Sequence, residues 1–209
     1  MIEYKTIKSP GEFTYIEKKS EFIGRALHID TEEEAAEIIS ETGKSHPKAR
    51  HTVYAYVIEP PVMRFSDDHE PAGTAGKPVL NVITKNNLEF TLITVVRYFG
   101  GILLGAGHLT GAYSKAAAGA VSNAAFAEFH PAQRLQIILP YEFYGKISQS
   151  LISPDIIPHE PIFSDNVTVE LDIKAEKAPE FIKNITNITS GNAKISVVRN
   201  LYLDFFIEI

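Results

Sequence analysis

The chain contains no cysteine, which excludes disulfide bonds, thiolate metal sites and a cysteine nucleophile. No apolar run approaches the roughly 18 residues that a helix needs to cross a bilayer. The N-terminal residues, which include Glu3 and Lys5, also lack the apolar core of a signal peptide. These absences predict a cytoplasmic protein without a membrane partner.

Basic residues are scarce, because the chain holds 20 Lys and Arg against 26 Asp and Glu, a net charge of −6. Residues 1–131 and residues 132–209 each carry a net charge of −3, so neither part is a basic tail. This balance excludes binding to nucleic acid by bulk charge but permits a local basic face. A length of 209 residues allows one large domain or two small ones.

The first 131 residues alternate between strand and helix patterns. A capping box that begins at Thr31 opens a first helix, which ends at Gly43. A second helix is predicted after Pro78 and a third over residues 109–125. Residues 65–78, the acidic loop, show no period and are predicted to lack regular structure. The predicted strands are 13–17, 21–29, 52–58 and 88–98.

A second unit of regular alternation begins after residues 129–132, which places a domain boundary between residues 131 and 132. Its order βαββαβ, within about 75 residues, is that of the split βαβ, ferredoxin-like fold. Residues 201–209 are predicted to add an edge strand. The fold class is therefore α+β, with domains at 1–131 and 132–209. The predicted strands of the second domain are 134–139, 156–163, 167–173 and 194–199, and its helices are 141–151 and 176–189.

The glycine stretch, residues 95–109, holds four glycines within eight positions: Gly100, Gly101, Gly105 and Gly107. Between a strand and a helix, such glycines permit tight packing of the two elements. The same place offers uncommitted backbone N–H groups and a helix dipole, which attract an anion or nucleic acid. The spacing matches neither a Walker loop nor a dinucleotide fingerprint, so both interpretations stay open.

Three carboxylates, Asp67, Asp68 and Glu70, lie in the acidic loop. Loop carboxylates ligate Mg²⁺ or act as acid and base, but they also cap a following helix or pair with cations such as Lys77 and Arg97. No histidine pair has the i, i+4 setting of a zinc protease, and no serine lies in a nucleophile elbow. The sequence therefore assigns no metal, cofactor or catalytic residue.

The basic segment, residues 44–51, is the one basic part of the chain, and no acidic residue occurs from 42 to 58. Lys48 and Arg50, together with Arg97, Tyr98 and Phe99, offer cations for phosphates and rings for bases. Ordinary strand aromatics beside a solvated turn have the same composition, so that alternative also stays open.

Two long motifs carry a resemblance to a known family: SDDxEPxGTAGKP at residues 66–78 and VRYFGGxxLGAG at residues 96–107. Shorter matches are KKSxFI at residues 18–23, ARH at residues 49–51 and AYS at residues 112–114. On these residues the chain resembles the IMPACT family, of the two-domain bacterial type. The resemblance covers about residues 1–130, and the remainder looks like the small C-terminal domain of the bacterial members.

The resemblance implies a first domain with the ribosomal-protein superfold and a ferredoxin-like second domain, similar to domains IV and V of elongation factor G. The family is associated with translation, and its mammalian member competes for the activator of an initiation-factor kinase. Bacteria lack that kinase pathway, so that partner is not transferred to this chain. For the bacterial type the resemblance implies nucleic-acid binding.

Three residues depart from the family pattern. His69 and His108 stand where the family usually has glycine, and Gly111 stands where it has arginine. Bulky side chains at two glycine positions predict that neither position needs a positive φ. The missing arginine removes one phosphate contact.

Together these observations predict a non-enzymatic binding protein linked to translation, which contacts RNA or a ribosome-associated protein. The alternatives are an enzyme that acts on a phosphorylated or nucleotide substrate with Mg²⁺, and a protein-only adaptor. The oligomeric state does not follow from the sequence. The predicted binding face comprises Lys48, Arg50, His51, Ser66, Asp67, Asp68, Glu70, Thr74, Lys77, Arg97, Tyr98, Phe99, Gly100, Gly101, Gly105 and Gly107.

Overall fold

The structure, a computed structural model, describes residues 3–59 and 61–205. The chain divides into an N-terminal unit, Tyr4–Ala127, and a C-terminal unit that begins at Glu128 and includes Glu3. The division falls inside the strand β7 (Ala125–Leu139). The same strand also continues through the predicted domain boundary between residues 131 and 132. Among the described residues, no helix combines the length and apolarity needed to cross a membrane.

The elements of the N-terminal unit are β1 (Tyr4–Ser9), β2 (Gly11–Glu17), β3 (Ser20–His28), α1 (Glu32–Ser45), β4 (His51–Val57), β5 (Met63–Ser66), α2 (Gly76–Lys85), β6 (Thr91–Tyr98) and α3 (Ala106–Ser122). Its sheet has five antiparallel strands in the order β2–β3–β6–β4–β5. Successive strand residues point to opposite faces, so each strand contributes apolar side chains to two layers. Helices α2 and α3 pack on one face, and α1 packs on the other.

Two glycines allow α3 to lie directly on the sheet. A Cβ atom at Gly24 of β3 would clash with the carbonyl oxygen of Ala116, and one at Gly11 of β2 would clash with that of Ala120. Because glycine has no side chain, the helix backbone approaches the strand backbone at both positions. This contact fixes the position of α3 relative to β2 and β3.

The elements of the C-terminal unit after β7 are α4 (Tyr141–Ile147), a 3₁₀ turn (Ser148–Leu151), β8 (Ile156–Pro158), β9 (Ile162–Phe163), β10 (Val167–Lys174), α5 (Ala178–Ile188) and β11 (Lys194–Asp204). In its antiparallel sheet, β10 lies between β7 and the short strands β8 and β9. β11 pairs with the other side of β7, so the order across the sheet is β11, β7, β10 and then β8 with β9. This arrangement is the predicted ferredoxin-like one, and the α+β fold class is confirmed.

Several element bounds differ from the predictions. The sequence pattern does not predict β1 or β5. β5 has only four residues, so the alternation of Met63 and Phe65 with polar residues is too short to indicate a strand. The predicted strand 156–163 is two short strands, since Pro158 and Pro161 interrupt it. The predicted edge strand 201–209 joins strand 194–199 in the single strand β11, and residues 206–209 lie outside the described residues.

Candidate functional site

Three sequence segments meet where β6 ends and β3 and β4 begin. In the antiparallel register, Arg97 of β6 lies between Phe22 of β3 and His51 of β4. β5 ends on the same side, because Ser66 pairs with Tyr54 near the start of β4. The acidic loop leaves β5 there, the glycine stretch leaves β6 there, and the basic segment enters β4 there. We call this part of the molecule the site end of the sheet.

A buried ionic network lies at the site end. Arg97 Nη1 donates to Glu70 Oε1 at 2.6 Å, and the Tyr113 hydroxyl donates to the same oxygen at 2.8 Å. His51 Nε2 lies 3.6 Å from that oxygen. The side chains of Glu70 and Arg97 are only 4% and 7% exposed, so each charge depends on the other for compensation. Burial, followed by the negative charge of Glu70, raises the pKa of the Tyr113 hydroxyl far above its ordinary range.

The Arg97 guanidinium is incompletely satisfied. Its Nε atom is buried and has no hydrogen-bond partner among the described residues. Its central carbon lies 5.4 Å from the ring centroid of Phe22 and 5.7 Å from that of Phe99. Ring contacts of this kind attract the cation but do not replace a hydrogen-bond acceptor. Arg97 therefore holds the acidic loop through Glu70 and presents little of its charge to solvent.

The Asp67 carboxylate is engaged by backbone donors. Oδ1 accepts from the N–H groups of Ala75 and Gly76 at 3.0 and 2.8 Å, and Oδ2 accepts from Gly73 at 2.8 Å. Burial disfavours the charged form, but the three donors outweigh it and hold the pKa of Asp67 below its ordinary value. Asp67 thus caps the start of α2 and shapes the acidic loop.

The Asp68 residue ties the acidic loop to β4. Its Oδ2 atom accepts from the Thr52 N–H at 2.6 Å, and His51 Nδ1 lies 2.6 Å from its carbonyl oxygen. A carbonyl only accepts hydrogen bonds, so Nδ1 of His51 carries a proton in this contact. All three carboxylates of the acidic loop therefore make their contacts inside the fold.

The acidic loop contains a left-handed turn, in which Asp68 has φ of +42° and His69 has φ of +67°. The prediction that His69 does not need a positive φ is therefore wrong. The turn is closed by the Glu70 N–H, which donates to the Asp67 carbonyl at 3.0 Å, and the fixed ends impose the conformation on His69. His108 shows no positive φ, because it lies in the first turn of α3.

The four glycines of the glycine stretch lie in different surroundings. A Cβ at Gly100 would clash with the backbone of Lys19, and Gly101 has φ of +85°. Gly105 and Gly107 border open space, so neither packing nor a positive φ requires glycine there. Gly105 is the N-cap of α3 and no side chain caps this helix, which leaves backbone N–H groups available to an anion.

Two arginines, Arg50 and Arg97, lie beside the ring of Phe99 at the site end. The Arg50 guanidinium carbon lies 5.5 Å from the Phe99 ring centroid, and the Arg50 N–H donates to the Arg97 carbonyl. The turn that carries Lys19 lies against Gly100. The Gly100 N–H donates to the hydroxyl of Ser20, the residue after Lys19, at 3.1 Å. Lys19 and Arg50 are exposed, and Phe99 is 38% exposed. We call this surface the basic edge, which consists of Lys18, Lys19, Lys48, Arg50 and Phe99.

The remaining predicted site residues play different parts. Ser66 accepts a hydrogen bond from the Asp68 N–H, and the buried Thr74 donates to the Pro71 carbonyl. Tyr98 points to the sheet face opposite Arg97, where its hydroxyl lies 2.8 Å from His46 Nδ1. Lys77 is exposed in the first turn of α2.

Sequence reasoning missed three residues of the site. Tyr113 lies in the short AYS match at residues 112–114, which gives the residue no role, and only the fold brings its hydroxyl to Glu70. Lys18 and Lys19 form the turn between β2 and β3, and both have positive φ. The signal that the sequence does contain is the KKSxFI match at residues 18–23, whereas the left-handed turn and its contact with Gly100 are seen only in the structure.

The groups that the site buries differ from those that it presents to solvent. Among the residues that the structure describes, no three His, Asp or Glu side chains lie together as a metal cluster. A magnesium ion at the acidic loop would have to displace the backbone donors of Asp67 or the Arg97 partner of Glu70. The outward-facing groups are the cations and the ring of the basic edge.

Comparisons with known proteins place these motifs in a wider group. The family model described as the Impact N-terminal domain matches residues 18–121. The chain is 34% identical over 203 residues to the IMPACT family member YvyE of Bacillus subtilis (strain 168), covering 96% of this chain and 94% of that protein. It is 45% identical over 100 residues to the IMPACT family member YigZ of Escherichia coli (strain K12), covering 46% and 49%. A solved structure described as a hypothetical protein is 28% identical, with a TM-score of 0.62, and the match covers 95% of this chain and 98% of that one.

Proposed function

Because the chain belongs to the IMPACT family, we propose that it is a non-enzymatic binding protein linked to translation, whose N-terminal unit binds structured RNA through the basic edge. A cytoplasmic location is part of this proposal. The link to translation rests on the resemblance of the motifs at residues 66–78 and 96–107 to the family.

One observation carries the proposal: at the site end the three carboxylates of the acidic loop face inward and the cations of the basic edge face outward. Asp67 and Asp68 bind backbone N–H groups, and Glu70 binds Arg97 and Tyr113. The acidic loop therefore directs its carboxylates to donors within the fold, and Arg97 balances the charge of Glu70. This separation supports a local positive surface on a protein with a net charge of −6.

Phe99 adds a ring to that surface. Nucleic-acid sites combine cations that track the backbone with aromatic side chains on which bases stack. Arg50 lies close enough to Phe99 to contact a phosphate beside a base stacked on the ring. The open N-terminus of α3 supplies further N–H donors for a phosphate oxygen.

The test measures the affinity of the full chain for an RNA stem–loop by fluorescence anisotropy over a range of salt concentrations. We expect Lys19→Ala and Arg50→Ala each to weaken binding several-fold and to reduce the salt slope by about one phosphate contact. Lys85→Ala is the matched control, since Lys85 is exposed in the last turn of α2, whose first turn lies at the site end. RNA binding that is absent, independent of salt or equal in all three variants would refute the proposal.

The enzyme alternative, with a phosphorylated or nucleotide substrate and Mg²⁺, has one observation in its favour, the open space at Gly105 and Gly107. Thermal unfolding with nucleotides and divalent ions separates it from RNA binding, because only a bound ligand raises the melting temperature. A protein-only adaptor would instead retain its partners from cell extract after nuclease treatment.

A further inference from the structure

The C-terminal unit carries an exposed aromatic cluster, which consists of Tyr141, Tyr144 and Phe163. Tyr141 and Phe163 are 53% and 55% exposed. Their ring centroids lie 6.2 Å apart in a stacked arrangement, and Tyr144 contacts Phe163 edge to face at 5.5 Å. Large rings with half of their surface in water offer a binding surface that the core of the unit does not use.

Hydrogen bonds hold this cluster in place. The Tyr141 hydroxyl donates to the Ser164 carbonyl at 2.6 Å, so α4 and the turn after β9 are tied together. The Ser164 N–H donates to the Asn166 carbonyl at 3.1 Å and closes that turn. Rings that are already oriented lose little conformational freedom when a partner binds.

The surroundings of the cluster are acidic. Residues 140–170 contain five acidic residues but only one lysine and no arginine. Asp155 pairs with Lys174 at 2.8 Å, and Glu170 accepts from Gln136 at 3.0 Å. The other three, Glu142, Glu160 and Asp165, are exposed and form no ion pair within the described chain.

Two of these free carboxylates flank the rings. Glu142 directly follows Tyr141, and Asp165 directly follows Ser164, whose carbonyl holds the Tyr141 hydroxyl. Aromatic ring faces and carboxylates both attract cationic side chains, and together they repel phosphates. β9 pairs with β10 on one side, and no described strand pairs with its other side, so an extended segment has backbone groups to bind.

We propose that the aromatic cluster binds an extended, lysine- and arginine-rich segment of a partner protein. Cationic side chains of the segment lie over the rings of Tyr141 and Phe163, between Glu142 and Asp165. This surface is independent of the basic edge, because it lies in the other unit and has the opposite charge.

Fluorescence anisotropy tests the proposal on the full chain with two labelled peptides, one of alternating arginine and glycine and one of alternating glutamate and glycine. We expect the arginine peptide to bind and the glutamate peptide not to bind. The double variant Tyr141→Leu/Phe163→Leu weakens binding of the arginine peptide by about tenfold, as for removal of an aromatic hot spot. The variant Glu142→Gln/Asp165→Asn keeps the rings, weakens binding and flattens its salt dependence.

Val198→Ala is the matched control, since Val198 is 51% exposed on β11, at the opposite edge of the same sheet. It is expected to bind the arginine peptide as the unchanged chain does, and so is Arg50→Ala. Equal binding by the charge variant and the unchanged chain would overturn the proposal. Displacement of the peptide by single-stranded RNA, with loss of RNA binding in Tyr141→Leu/Phe163→Leu, would instead assign the rings to nucleic acid and also overturn it.

Discussion

Each unit of the molecule contains one buried carboxylate bound to an arginine, and the two pairs are built differently. In the C-terminal unit, Arg134 makes two hydrogen bonds of 2.8 Å to the two oxygens of Asp172, which lies directly opposite it on the neighbouring strand. In the N-terminal unit, Arg97 makes one bond to Glu70, from a distant loop, and its Nε stays unpaired. The first pair is complete, whereas the second depends on other groups.

Exposure separates the two pairs further. The side chain of Arg134 is 23% exposed, so water reaches its guanidinium, whereas that of Arg97 is 7% exposed. Burial disfavours the charge of Asp172, but Arg134 and then His159 hold the pKa of Asp172 below its ordinary value. A pair between neighbouring strands stabilises a sheet locally, while a pair between a loop and a strand decides whether the loop is in place.

The largest effect is expected for Glu70→Gln, which removes the carboxylate charge that is bound to buried Arg97. We expect the free energy of unfolding to fall by about 3–5 kcal/mol, the cost of an unpaired buried charge. Urea unfolding of the full chain, followed by circular dichroism, measures it. Glu33→Gln, an exposed carboxylate of α1, is the control. A Glu70→Gln chain as stable as the control would show that Arg97 needs no counter-charge.

Asp172→Asn is expected to have a smaller effect, although Asp172 is as buried as Glu70. Loss of charged hydrogen bonds costs about 1.5–3 kcal/mol, and Arg134 recovers part of this by turning to water. The same urea experiment measures the difference between the two variants. If Asp172→Asn destabilised the chain more than Glu70→Gln does, the contrast between the two pairs would be invalid.

Asp67→Ala tests the capping contacts of the acidic loop and has a pH dependence. Loss of an N-terminal cap costs about 0.5–2 kcal/mol at neutral pH. Because folding lowers the pKa of Asp67, its contribution is present above about pH 4 and is lost as the pH falls further. The stability difference from the unchanged chain should therefore shrink between pH 5 and pH 2. A constant difference would show that the carboxylate charge is not involved.

His159→Gln should have the smallest effect. His159 Nε2 lies 3.0 Å from Asp172 Oδ2, but its side chain is 36% exposed and Arg134 already satisfies the carboxylate. A partly exposed ion pair contributes less than about 1 kcal/mol. Thermal unfolding is sensitive enough to check it. A loss as large as that of Asp172→Asn would place His159 among the groups on which that carboxylate depends.

The fold was predictable from the sequence where local patterns are strong. The capping box is observed, because the Thr31 hydroxyl accepts from the Glu34 N–H at 3.2 Å. The sequence predicts only the second half of β7, residues 134–139, because Pro131 and the neighbouring polar residues interrupt the apolar alternation. In the structure, pairing with β10 and β11 extends the strand across these residues. α3 begins at Ala106, earlier than its pattern indicates, because its first three residues are exposed and carry no apolar periodicity.

The site was less predictable, since its contacts join residues far apart in the chain. The sequence places both Glu70 and Arg97 in the predicted site. It does not show that they bind each other, because the residues around a loop carboxylate do not reveal whether the carboxylate binds magnesium, water or an arginine. Only the register of β3, β6 and β4 brings Arg97 under the acidic loop. The Asp68–His69 turn was mispredicted for a related reason, because loop closure by distant contacts imposes a conformation that local propensity disfavours.

The glycine contacts beneath α3 limit which parts of the N-terminal unit can move. Gly11 and Gly24 face carbonyl oxygens of Ala120 and Ala116, one helical turn apart, so a shift of α3 by one residue would drive alanine side chains into the strands. Within residues 99–122, rearrangement on ligand binding is therefore expected in residues 99–105, ahead of the helix, and not in α3. Amide hydrogen exchange should follow this division, with fast exchange in that segment and exchange in α3 only when the whole unit unfolds.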